Sequence, residues 1–261
     1  QSPNPSPSSS PSSSSSPSSS SGLGESSDSS SSDTSGAPSS CPEVLEGDLV
    51  LETQADVEAA SLLREVSGNV IITGDIASLA SLGCLETIEG ALSIRDTQGL
   101  RDLAGLHAVT DIGGQLSIHG NPELESLAGL SNLRYASWIH LSGNGITHLG
   151  LDRLQATNSI AIGDCLPEGT GEPLLEDFDG LESLLALSSV AVYSSPRLTG
   201  FSGLQAFAQR GGSLNILKLW FNEQLDPEAI SEVTEAFKGV SVDTCGNGGD
   251  NQDECFCPPP P

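Results

Sequence analysis

The chain has 261 residues, of which 35 are acidic and 9 are basic, so its formal net charge at pH 7 is −26. Phosphate backbones and anionic lipid surfaces repel so acidic a chain, which excludes nucleic acid as a partner and leaves cations or basic proteins. Simple solubility explains the same charge without a partner. No stretch approaches the roughly 20 apolar residues that cross a bilayer.

Residues 1–40 consist almost entirely of Ser, Pro, Gly and Asp, and their only apolar side chains are Leu23 and Ala37. Such a composition cannot offset the entropy of ordering, so we expect a disordered Ser/Pro stalk. The sequence contains no Met. We therefore expect that a signal peptide has been removed, and a lipid-modified cysteine at its end, tethering the stalk to a membrane, is a hypothesis.

The first predicted element of the folded part is a helix from Glu52 to Val66. Its apolar residues share one face and would cover part of the N-terminal end of the domain; they are Val57, Ala60, Leu63 and either Leu62 or Val66.

A short sequence pattern, which we call the phrase, repeats along residues 41–245. It consists of an apolar residue, any residue and a second apolar residue. A small polar residue or Asn follows, and a Leu comes three residues after that. The segments Leu116–Leu124 and Leu217–Leu225 match position for position. Alternation within the phrase predicts a strand with one buried face. Nine phrases begin at Leu49, Val70, Leu92, Leu116, Ile139, Ile160, Val190, Leu217 and Val240.

After the strand, several repeats change to apolar residues at every third position, as at Leu100, Leu103, Leu106, Val109 and Ile112. An α-helix would mix spacings of three and four, so a strict spacing of three favours a bending coil or 3₁₀-like turns. Stacked repeats of this kind predict a mainly β, right-handed parallel β-solenoid of about nine repeats with short helical caps.

The segment Gly114–Ile118, followed by Asn121–Leu133, resembles the receptor L-domain, a relative of leucine-rich repeats found in receptor ectodomains and microbial surface proteins. The resemblance covers residues 41–245 and implies a binding role at a cell surface. The sequence departs from the pattern at an inserted loop, Leu166–Pro173, and at two Asn positions, which hold Cys165 and Ser195.

The C-terminal end has its own predicted cap. A helix from Pro227 to Lys238 would begin at its proline and turn four residues inward, namely Ile230, Val233, Ala236 and Phe237. Residues 246–261 form a tail rich in Cys, Gly and Asp that ends in four prolines. Asp250, Asp253 and Glu254 could bind calcium there, but they lack EF-hand spacing, and a solvated acidic tail is the alternative.

Six cysteines lie mostly at the two ends of the folded part, which favours capping disulfides over a metal site because no CxxC pair occurs. The local pairings are Cys41 with Cys84, and Cys245 with either Cys255 or Cys257; the state of Cys165 stays open.

Indexing the repeat places each histidine. His107 and His148 fall in turns, whereas His119 and His140 point outward from adjacent strands, where they would be diagonal neighbours. A shared metal ion is one interpretation, but no carboxylate occupies a neighbouring outward strand position. Solvated histidines are the alternative, and we predict no metal and no cofactor.

The outward strand positions do not form a predicted active site. They offer neither paired carboxylates nor a GxSxG elbow, and Gly246–Gly249 precedes no helix and so is no phosphate-binding loop. We therefore predict a protein without enzymatic activity.

The same face carries side chains suited to binding, and the predicted ligand site consists of Trp138, His140, Tyr193, Lys218 and Trp220. Either Trp could instead fold over a neighbouring turn as peripheral core. If the site is correct, Trp220→Ala and Tyr193→Ala weaken binding and leave the fold intact.

Two functions remain open at this point. The first is a secreted or surface-displayed binding or adhesion module for a protein or a glycan. The second is a structural component of the cell envelope that uses the solenoid as a spacer and its termini as attachments.

Overall fold

The computed structural model describes residues 41–164 and 170–248. Within these ranges the chain is mainly β, and twelve strands form one sheet in which each strand pair is parallel. The strands are β1 (Glu43–Leu45), β2 (Leu49–Thr53), β3 (Leu63–Val66), β4 (Val70–Asp75), β5 (Thr87–Ile88), β6 (Leu92–Arg95), β7 (Asp111–His119), β8 (Tyr135–Ser142), β9 (Ser159–Ile162), β10 (Ser189–Tyr193), β11 (Ile216–Trp220) and β12 (Ser241–Cys245).

The repeated phrase forms the longer of two strand ladders, which we call the main ladder. In it, β2, β4 and β6 to β12 pair in the order of the sequence. Leu116, Ile139 and Ile160 are register partners, and all three are buried, as the alternation predicts. The last phrase is an exception. Leu217 pairs with Val242, so the ninth repeat begins there and not at Val240.

A second, shorter ladder was not predicted. It contains β1, β3 and β5 and the first residues of β7 and β8. Isolated bridges from Tyr135 to Ala156 and from Ala156 to Ala186 continue it. Each early repeat therefore contributes two strands, and the apolar core lies between them and the turns as one continuous cluster.

The predicted helix over Glu52–Val66 is wrong for most of its length. Helix α1 covers only Gln54–Ala59, and it begins at a capping box in which Thr53 and Asp56 bond reciprocally. Further along the predicted helix, Leu63–Val66 instead forms β3 between β1 and β5. Strand pairing wins there because neighbours on both sides satisfy the backbone groups.

The strict spacing of three corresponds to 3₁₀ helices at Ala80–Leu82, Ala104–Leu106 and Ala128–Leu130, as predicted. Their leucines are fully buried. The backbones of successive repeats also approach closely here: a Cβ on Gly105 would lie 1.5 Å from the carbonyl oxygen of Leu79. Only glycine fits at that position.

A sharp turn follows nearly every strand of the main ladder, and its first residue has a positive φ. Glycine fills it five times, and the other three occupants are Asp96, Ser194 and Phe221. After six of these eight residues, the next residue enters a buried polar ladder, whose seventh member is Glu172; the ladder consists of Thr97, Asn121, Asn144, Glu172, Ser195, Asn222 and Asn247. Each asparagine amide donates to a main-chain carbonyl of the preceding repeat, as Asn144 does to Ile118 at 2.9 Å.

Glu172 corrects the prediction for the inserted repeat. The polar ladder passes from Asn144 to Glu172 and then to Ser195, so the position assigned to Cys165 belongs to Glu172. The insertion leaves the ladder after Gly163 and returns at Gly171, whose carbonyl accepts from the Gly143 amide. Cys165 itself lies outside the described residues.

Two further helices lie between the last strands. Helix α2 (Ser202–Gln209) was not predicted, and α3 (Pro227–Ala236) matches the predicted cap, with Asp226 as N-cap and Pro227 in the first turn. Val233 and Phe237 are buried, but Ala236 is exposed, contrary to expectation. None of the helices in the described ranges is long and apolar enough to span a bilayer.

The predicted disulfide between Cys41 and Cys84 is confirmed, with the two Cα atoms 5.5 Å apart. It ties the segment that precedes β1 to the turn after the first 3₁₀ helix. Cys245 is also disulfide-bonded. Its predicted partners, Cys255 and Cys257, lie outside the described residues, as do the stalk over residues 1–40 and the tail from residue 249 onward with Asp250, Asp253 and Glu254.

Candidate functional site

The outward positions of the main ladder form a continuous surface of three columns, which we call the strand face. The first column contains Gln115, Trp138, Ser159, Ser189, Ile216 and Ser241. The second contains Val50, Ile71, Ser93, Ser117, His140, Ala161, Ala191, Lys218 and Asp243. The third contains Thr73, Arg95, His119 and Ser142, and later Tyr193, Trp220 and Cys245.

The strand face differs from the rest of the chain in charge. Only Arg95, Lys218 and Asp243 among its residues are formally charged, which gives the face +1 in a chain of −26. Apart from Asp243, the acidic residues of the described ranges lie outside the three columns. A neutral face on so acidic a surface is suited to contact with another molecule, because little charge must be desolvated.

Trp138 is the most exposed aromatic residue of the described chain, with 57% of its surface open to solvent. Its register neighbours are Gln115 on one side and Ser159 on the other, neither of which can cover an indole ring. A shallow depression of about 250 Å³ adjoins it, lined by Gln115, Trp138, Ile139, His140, Ser159 and Ala161.

His140 lies in this depression and pairs with an acid that the sequence pattern did not indicate. Its Nε2 atom is 3.3 Å from Oδ1 of Asp164, and both side chains are partly exposed. Asp164 follows β9 at the start of the insertion, so a search confined to strand positions misses it. The other Asp164 oxygen, Oδ2, accepts from the Thr170 hydroxyl at 3.5 Å.

Tyr193, Lys218 and Trp220 lie at the other end of the strand face, in β10 and β11. The Tyr193 and Trp220 rings meet edge to face, with their centroids 6.1 Å apart, and Trp220 makes a similar contact with Phe221. Trp220 is only 7% exposed. It has the predicted register but serves mainly as peripheral core, and Trp220→Ala is no longer expected to leave the fold intact.

The surroundings of Tyr193 make it a poor acid. Burial raises the pKa of the Tyr193 hydroxyl, and the nearby negative charge of Asp243 raises it further. Lys218 and Asp243 are register partners, so the two charges of this end compensate each other. At neutral pH the cluster therefore offers a neutral phenol beside a balanced pair of charges.

The five predicted site residues thus form two groups, Trp138 with His140 and Tyr193 with Lys218 and Trp220. Three strand spacings, about 14 Å, separate Trp138 from Ile216 in the first column and His140 from Lys218 in the second. The positions between them hold only Ser159, Ser189, Ala161 and Ala191.

His119 and His140 are diagonal neighbours, since Ser117 pairs with His140 and His119 with Ser142. Within the described ranges no three His, Cys, Asp or Glu side chains converge as a metal site would require. His107 and His148 lie in turns, where His107 contacts the Ala104 carbonyl and His148 the Thr147 hydroxyl.

No protein-family model matches this chain, and no curated protein is significantly similar to it in sequence.

Proposed function

We propose that residues 41–245 form a right-handed parallel β-solenoid of the receptor L-domain type, and that the protein is a non-catalytic binding or adhesion module at a cell surface. The strand face would be its recognition surface, and its ligand a protein or a glycan.

The architecture supports this proposal through the order of its strands. Successive repeats pair parallel and in register, and a buried polar ladder links seven of their turns. Each repeat therefore stacks on the one before it, as repeats of a solenoid do. The disulfide between Cys41 and Cys84 supports an oxidising compartment, and thus an extracellular location.

The observation that carries the functional proposal is the contrast between the strand face and its surroundings. A nearly neutral sheet surface carries Trp138, 57% exposed, and Ile216, 43% exposed, in one column. Leaving large apolar groups in water on a rigid sheet has a free-energy cost that a ligand would remove. The proposed role is non-catalytic because no two carboxylates face each other there: Asp243 is the one carboxylate in the three columns, and Asp164 at their edge pairs with His140.

A structural envelope component is the second candidate. The continuous core and the covalent closure of the first repeats suit a rigid spacer. In that case the terminal segments make the attachments. Deletion of residues 1–40 would then abolish retention at the surface, whereas substitutions on the strand face would have no effect.

Binding arrays of extracellular protein domains and of oligosaccharides, probed with the fluorescently labelled full chain, test the first candidate. We expect a ligand whose binding is lost when Ala191→Glu places a negative charge in the middle of the strand face. Ala77→Glu, at an exposed turn position away from that face, is the matched control and should bind normally. Arrays without a ligand, or ligands insensitive to Ala191→Glu, would contradict the proposal.

A further inference from the structure

We infer that the depression beside Trp138 is a subsite for one ring of a neutral saccharide, with Trp138 as the stacking platform and the His140–Asp164 pair as the hydrogen-bonding group. This inference rests on the proposed function and names the class of ligand that this end of the strand face accepts.

Trp138 is isolated from the other large apolar residue of its column. A protein partner requires a cluster of contiguous buried anchors surrounded by contacts that exclude water. Trp138 instead has Gln115 and Ser159 beside it, and the next large apolar residue of its column, Ile216, is about 14 Å away. One flat apolar surface bordered by amide and hydroxyl groups matches a pyranose ring, which has an apolar C–H face and a polar rim.

Polar groups line the edge of the depression. Oδ1 of Asp164 lies 3.3 Å from His140 Nε2, and this contact restrains the imidazole ring. Nδ1 of the same ring has no hydrogen-bond partner among the described residues. A fixed imidazole nitrogen, a carboxylate and the Gln115 amide together offer both donors and acceptors, and vicinal hydroxyl groups of a sugar need both.

The depression is small and open. It measures about 250 Å³, which is below the roughly 300 Å³ at which pockets begin to enclose a drug-sized ligand. A single ring that lies shallowly on the sheet suits this space. The alanine and serine floor from Ala161 to Ser189 leaves room for further units of a chain that crosses the strands toward Lys218.

The negative charge of the chain disfavours anionic glycans. Sulfated or sialylated glycans would approach a chain of net charge −26 against its electrostatic potential. The lining of the depression contains no formally charged residue, and the adjoining Asp164 adds negative charge. Neutral hexose or N-acetylhexosamine chains meet no such barrier, so the inference is restricted to them.

The test uses the full chain and a panel of neutral tetrasaccharides of hexoses and N-acetylhexosamines, with α and β linkages, titrated by calorimetry and by tryptophan fluorescence. We expect at least one to bind and to perturb the emission of Trp138, which is solvent-exposed. Trp138→Ala should weaken the affinity about tenfold or more. Tyr135→Ala removes an exposed aromatic residue of the second ladder and should leave the affinity unchanged.

His140→Gln and Asp164→Asn test the polar pair separately from the stacking ring of Trp138. Each variant should weaken saccharide binding several-fold without changing the melting temperature. The loss of affinity in the double variant should be smaller than the product of the two single losses, because the residues act as a pair. No binding across the panel, while a protein ligand from the arrays still depends on Ala191, would overturn the saccharide inference and leave the proposed function standing. Failure of both experiments would overturn the two together.

Discussion

Glu172 accepts a hydrogen bond on Oε1 from Nδ2 of Asn144 at 2.7 Å, so that a carboxyl group stands in the polar ladder between the amide of Asn144 and the hydroxyl of Ser195. The side chain is fully buried, and its other oxygen, Oε2, accepts from the Asn144 main-chain amide. Burial raises the pKa of Glu172 from 4.5 to about 7, and the two hydrogen bonds from Asn144 oppose that rise only in part.

The raised pKa predicts that Glu172 destabilises the fold at neutral and basic pH. The folded chain holds this proton more tightly than the unfolded chain does, so the contribution to stability is fully present below pH 4.5 and is lost as the pH rises to about 7. The loss is on the order of 3 kcal/mol. Urea unfolding of the wild type and of Glu172→Gln, at pH 4.5 and at pH 8, measures it.

Glu172→Gln should match the wild type at pH 4.5 and exceed it at pH 8, since a glutamine side chain is neutral at both. Because the comparison is a difference between two chains, the pH dependence of the other carboxyl groups cancels. Equal stability of the two chains at pH 8 would show that the buried carboxylate carries no such cost.

The polar ladder should be energetically important along its whole length, and Asn121 is its best-connected member. The amide of Asn121 donates to the carbonyls of Ile94 and His119, and its oxygen accepts from Thr97. Asn121→Ala leaves these buried groups without partners, and we expect a loss of about 3 kcal/mol in the free energy of unfolding. The control is Asn132→Ala, whose exposed amide bonds only the His107 carbonyl; thermal melts giving equal losses would contradict this role.

The main ladder could be predicted from the sequence because its alternation has a period of two and one face is fully buried. A slip of one residue would have turned Ile139 and Leu141 into solvent, so the register was strongly specified. The second ladder escaped notice because members such as Thr87–Ile88 have only two residues, too few to show alternation. At Val240 the error arose because Val240 and Val242 fit the apolar alternation, whereas the residues that pair with Leu217 and Leu219 are Val242 and the polar Thr244.

The two tryptophans should respond differently to truncation. Trp220 is nearly buried among Tyr193 and Phe221, whereas Trp138 is open to water. We expect Trp220→Ala to lower the free energy of unfolding by about 3–5 kcal/mol and Trp138→Ala to change it by less than about 0.5 kcal/mol. Urea denaturation followed by circular dichroism distinguishes them, and a stable Trp220→Ala variant would show that the ring is not part of the core.

Glycines in the 3₁₀ turns should tolerate no side chain where repeats approach each other closely. A Cβ on Gly105 would overlap the Leu79 carbonyl oxygen, while a Cβ on Gly99 would meet Ala77 at an ordinary 3.7 Å. Gly105→Ala should therefore cost about 3 kcal/mol or more through backbone displacement, and Gly99→Ala less than about 1 kcal/mol. Melting temperatures of the two variants, measured side by side, test the contrast; similar values would mean that the repeats can separate freely at this turn.

The candidate site was harder to predict than the ladder. The repeat pattern correctly placed Trp138 and His140 on the outward face. The exposure of a side chain, however, also depends on its neighbours, and Trp220 is nearly buried because the rings of Tyr193 and Phe221 pack against it. The partner of His140 came from the insertion, where no periodic signal exists. Glu172 was missed for the same reason, since the number of inserted residues cannot be read from a repeat that the insertion interrupts.

Recognition through the strand face is the central claim, and hydroxyl-radical footprinting of the full chain with and without its saturating array ligand tests it most directly. Oxidation of Trp138 and His140 should fall on binding. Tyr135 of the second ladder and Leu185, which precedes the bridge residue Ala186, are exposed and should remain unprotected. Protection confined to the second ladder or to helices α2 and α3, with Trp138 still oxidised at its free rate, would contradict recognition through the strand face.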